Sequence, residues 1–123
     1  MVHLDRKYAL DFLTLFGTKE EMEQMVKEFE TSSQECAKEV KKTLSQQAGG
    51  IDFGAIRVAF HSFKGVARTV GAVHLFQDLG RLEGEAEKER SADSCTKGLD
   101  VIAAEVEAVA KELRATIASF SSS

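Results

Sequence analysis

Four residues of different chemistry share one short stretch: His61, Lys64, Gly65 and Arg68. If that stretch is helical, a rotation of about 100° per residue returns positions 64, 65 and 68 to within roughly 60° of position 61. An imidazole, an ammonium, a guanidinium and a gap without a side chain then lie on one surface. A free imidazole titrates near roughly 6.5, so it is largely neutral at pH 7 and has a ring nitrogen able to attack a phosphoryl group. Lys64 would neutralise charge on that group, as phosphoryl transfer requires. Gly65 would let a partner's backbone come close, and Arg68 would steer the partner or face water.

Three readings of this patch are open. One is a solvated helix face that contains a histidine. The second is a metal site joining His61 to His3 or His74, for which no His-x-x-x-His or Cys-x-x-Cys spacing exists. The third is a phosphoryl-carrying histidine. Gly65 favours the third, because a mid-helix glycine costs about 1 kcal/mol relative to alanine and asks for a reason.

The elements that must position these residues are helices. Ile56, Phe60, Phe63, Ala67 and Val70 form an apolar stripe beside the polar one, so Phe60 and Phe63 belong to a core. This predicts a helix over 52–70, with Asp52 as its cap. A short leading helix is predicted over 4–16, stopped by Gly17. Thr18 with Glu21 makes a capping box for a long helix over 18–47, whose apolar period runs through Met22, Met25, Val26, Phe29, Cys36, Val40 and Leu44. Residues 31–33 are a weak point in it. After Gly71, a helix over 72–90 turns Leu75, Phe76, Leu79, Leu82 and Ala86 inward. The last helix, over 95–119, does the same with Leu99, Ile102, Ala103, Val106, Val109, Ala110, Leu113 and Ile117. No segment alternates with period two. Short connections imply antiparallel neighbours, so the expected architecture is an all-α, antiparallel up-down four-helix bundle with a short N-terminal helix added.

Antiparallel pairing brings in one more residue. From a turn near Gly71, positions 61 and 83 lie at matching heights on neighbouring helices. The Glu83 carboxylate can there accept the Nδ1 proton of His61 and leave Nε2 to react. The competing reading is a surface acid in an acidic run with Glu85 and Glu87.

Composition bounds the rest. The 123 residues are 43% hydrophobic and 29% charged with no proline, which suits one folded domain over 1–123. No apolar run reaches the ~20 residues of a membrane span. The first seven residues lack an apolar signal core, and Cys36 and Cys95 fit reduced thiols, so the expected address is the cytoplasm. A net charge of −4 argues against a nucleic-acid binder. From Ile51 to Arg81, however, four basic residues face two acidic ones, a local basic patch suited to a phosphoryl group and an acidic partner pocket.

His61-Ser62-Phe63-Lys64-Gly65, then Val70-Gly71-Ala72, then Leu79-Gly80-Arg81-Leu82-Glu83 closely resemble the histidine-containing phosphotransfer (HPt) domain. The resemblance implies a helical bundle that takes a phosphoryl group onto His61 from a receiver-domain aspartate and passes it on. It implies Glu83 in the orienting role, response-regulator receiver domains or a hybrid histidine kinase as partners, and a monomer with no cofactor and no metal. Phe60 and Val66 depart from the family's usual small residues, which bears on partner fit, and Gly80 stands where a cysteine or alanine is common and weakens its helix locally. No Gly-x-x-x-x-Gly-Lys loop is present, so the chain is not expected to be a kinase by itself. Two alternatives stay open: the phosphoacceptor domain of a chemotaxis-type histidine kinase, and a helical adaptor that is not phosphorylated.

Overall fold

The computed structural model describes residues 17–46 and 49–121, with positions 7, 11, 14 and 15. Four helices follow in order: α1 Lys19–Ser45, α2 Phe53–Thr69, α3 Val73–Lys88 and α4 Ala92–Ser121. The described residues contain no strand. Each helix packs on the next, and α4 closes back onto α1. This is the expected all-α four-helix bundle. The leading helix expected over 4–16 lies largely outside the described residues.

Local chemistry accounts for the helix ends. Thr18 Oγ1 accepts from the Glu21 amide at 3.1 Å and Asp52 Oδ1 from the Ala55 amide at 3.0 Å, so each satisfies an otherwise unpaired first-turn donor. Ser91 Oγ accepts from the Ser94 amide at 3.2 Å, which starts α4 at Ala92 and not at the expected 95. At the end of α2 the Ala72 amide bonds Ala67 O at 2.9 Å and the Gly71 amide bonds Arg68 O at 3.1 Å. With Gly71 at φ 79°, this is a Schellman ending, whose left-handed residue glycine adopts without a steric penalty. Only positions 70–72 separate α2 from α3, so the chain reverses at once.

The core draws on all four helices: Val26 and Phe29, Ile56 and Phe60, Leu75 and Leu79, Leu113 and Ile117 are all buried. The rings of Phe29 and Phe63 stack with centroids 5.7 Å apart, a contact worth about 0.5–1.5 kcal/mol beyond the area it buries. α1 passes unbroken through residues 31–33, and Ser33 is buried in its stripe. Leu44 and Phe76 are only partly buried. Ala103, expected to face inward, is exposed, and Glu105 is buried on α4 in its stead. At Gly98 an added Cβ would collide with the Leu82 side chain, so the missing side chain sets how closely α4 approaches α3.

Candidate functional site

Buried neighbours fix the polar residues from behind. His61 and Lys64 each follow a core phenylalanine of α2, and Glu83 follows buried Leu82 on α3. Both polar edges therefore meet along the α2–α3 seam. His61 Nδ1 lies 2.7 Å from Glu83 Oε1. Lys64 Nζ lies 2.7 Å from Glu83 Oε2, and Arg57 completes the cluster at 3.6 Å from Oε1. One carboxylate on α3 thus gathers three nitrogen groups from α2.

Exposure differs sharply within the cluster. The Glu83 side chain is 13% exposed, whereas that of His61 is 62% exposed. Desolvation pushes the Glu83 carboxyl up, but hydrogen bonds from Lys64 and His61, together with their charge, outweigh it and hold its pKa below the ordinary carboxylate value. Glu83 is therefore ionised at neutral pH and can only accept. The shared proton sits on Nδ1 of the neutral ring, and Nε2 keeps its lone pair.

Lys64 is braced on its other sides. Its ammonium stands 5.7 Å from the centroid of the Phe76 ring, a cation–π distance. A Cβ at Gly80 would lie 3.9 Å from Lys64 Cδ, so the lysine stem crosses α3 at a glycine. Gly65 would meet nothing within 4 Å if it carried a Cβ, and it is exposed beside the histidine. Arg68 is exposed one turn further along. The structure thus brings His61, Lys64 and Glu83 into contact and leaves Gly65 and Arg68 on the open surface around them.

Two features escape the sequence reading. Arg57 joins the cluster; it precedes His61 by four residues, so the helical spacing that collected Lys64 and Arg68 also points to it. The second is a separate cluster around His74, whose Nδ1 is 2.7 Å from Glu105 Oε1 and 3.7 Å from Asp78 Oδ2. His61 and His74 thus have different carboxylate partners, and the metal reading that would join them is not formed. His3 lies outside the described residues.

Fold and site define a helical bundle that presents an imidazole to solvent, with one ring nitrogen held by a carboxylate of the adjoining helix and cations on either side. The chain belongs to the Hpt domain family, whose model matches residues 24–112 and so takes in part or all of every helix. It is a phosphotransfer carrier of two-component signalling, and domains of this family interact with receiver domains and histidine kinases. No curated protein and no solved structure matches the chain. No helix among the described residues is long and apolar enough to cross a membrane.

Proposed function

We propose that His61 accepts a phosphoryl group from the aspartyl phosphate of a receiver domain and passes it to another receiver. The observation that carries this reading is the 2.7 Å contact between His61 Nδ1 and Glu83 on an imidazole that is otherwise open to solvent. The Nε2 lone pair attacks phosphorus, the Nε2–P bond forms, and the aspartate oxygen leaves with the electron pair of the broken O–P bond. The ring becomes cationic, its Nδ1–H held by the Glu83 carboxylate, which stabilises that charge. Lys64 holds Glu83 in place and supplies positive charge beside the transferred group. Gly65 leaves room for the receiver, and Arg68 meets its acidic pocket. The protein works as a cytoplasmic monomer.

A second source of phosphoryl groups, the kinase domain of a chemotaxis-type histidine kinase, is served by the same His61–Glu83 pair. One experiment separates the two: labelled receiver and labelled kinase domains are offered in parallel to wild type and His61→Gln. Label should pass from the receiver to wild type and not to the variant. Label retained by His61→Gln would refute the assignment, and transfer from the kinase domain alone would shift it to the second source.

A further inference from the structure

The His74 cluster takes no part in the chemistry described so far, yet it is built with the same register as the His61 pair. His74 lies sixteen residues before Arg90, where α3 turns into α4, and Glu105 lies fifteen after it. Antiparallel packing therefore sets them level. Asp78 stands one turn along α3 from His74, on the same face.

Glu105 is only 7% exposed, and its Oε2 is shut off from solvent with no hydrogen-bond partner. Buried carboxylates ordinarily pair fully or coordinate a metal. Two carboxylates crowd one imidazole here, an arrangement that repels a phosphoryl group and attracts a cation. Arg81 lies 3.8 Å from Asp78 Oδ1, while Oδ2 faces His74.

We infer that His74, Asp78 and Glu105 form a binding site for a divalent transition-metal ion of zinc type. One ligand atom from each residue lies within 4.8 Å of the others. A tetrahedral zinc ion with bonds of ~2.0–2.1 Å needs ligand atoms about 3.4 Å apart. The observed separations from His74 Nδ1, 2.7 Å to Glu105 and 3.7 Å to Asp78, straddle that value. One imidazole nitrogen with two carboxylate oxygens suits zinc better than magnesium, which prefers an octahedral shell of oxygens. A bound ion would clamp the start of α3 to the middle of α4 and satisfy the buried carboxylate.

The test is a calorimetric titration of the chelator-treated full chain with Zn2+. Wild type should bind one equivalent, and His74→Gln and Glu105→Gln should each weaken binding by at least about tenfold. His61→Gln should bind zinc like wild type, which separates this site from the phosphotransfer histidine. Thermal melts establish that each variant is folded, and Asp78→Asn, at a half-buried position, replaces Glu105→Gln should that variant not fold. Imidazole resonances of His74 should move on zinc addition, and equal Mg2+ should not displace the ion. Absence of binding by wild type, binding untouched by the His74 and carboxylate variants, loss of binding in His61→Gln, or displacement by equal Mg2+ would each overturn the assignment.

Discussion

His61 and Glu83 sit on different helices, 22 positions apart, and share a hydrogen bond of 2.7 Å. Because Glu83 is held in its ionised form by Lys64 and His61, the bond also selects a tautomer: the proton on Nδ1, the lone pair on Nε2. Glu83→Ala removes the selection. Imidazole nitrogen resonances should then report a larger share of the Nε2–H form, and phosphoryl transfer should slow on the order of 10²-fold, the lower end of what a positioned acid–base partner contributes. Unchanged tautomer signals would reduce Glu83 to a surface acid.

Gly65 makes a prediction in which stability and transfer part company. Nothing lies within 4 Å of an added Cβ there, so Gly65→Gln should fold and gain up to about 1 kcal/mol of helix propensity. The longer side chain would occupy the space a receiver needs. Transfer should fall at least about tenfold while the melting temperature holds or rises by a few degrees. Normal transfer rates would place the docking surface elsewhere.

The depressed Glu83 pKa sets the sign of a pH effect. A carboxylate whose folded pKa lies below its unfolded one stabilises the fold above the unfolded value, and that contribution disappears as the pH falls through the folded value. Wild type should therefore lose melting temperature from about pH 5 downward more steeply than Glu83→Gln, which has no such group to protonate. Parallel curves for the two proteins would show that the pair adds nothing to stability.

Phe60 links core and site. It is fully buried directly before His61, so Phe60→Ala should cost about 3–5 kcal/mol, read from denaturant midpoints. At temperatures where the variant remains folded, transfer should persist, because the imidazole's partners lie on α3 and not on Phe60. A cost below about 1 kcal/mol would mean that the packing around position 60 collapses into the space.

The apolar periods made the bundle legible, since Ile56, Phe60, Phe63 and Ala67 of α2 are buried as their spacing requires. Glu83 was legible for a similar reason: a short turn marked by Gly71 lets residues on either side be counted into register. Glu105 was not. It is a charged residue in an apolar stripe, and a polarity pattern assigns that place to Ala103; its partner is His74 across the helix pair, which the pattern does not show. The start of α4 lies ahead of the expected 95 because its cap is the Ser91 hydroxyl, upstream of the apolar period that begins at Leu99. The end of α3 carries no glycine signal either, since Arg90 itself adopts the left-handed conformation at φ 50°.

The three-residue reversal at positions 70–72 makes connection length part of the site. Each residue added between α2 and α3 would shift the register of α3 and rotate its faces by about 100° against a fixed α2. Glu83 would leave His61 and Lys64, and Leu79 and Leu82 would leave the core with it. Deletion has the same effect in the opposite sense. The segment between α1 and α2 carries no such burden, because no cluster residue lies on α1. Insertions should thus be tolerated after Ser45 and excluded after Thr69, where the connecting residues Val70, Gly71 and Ala72 are themselves buried.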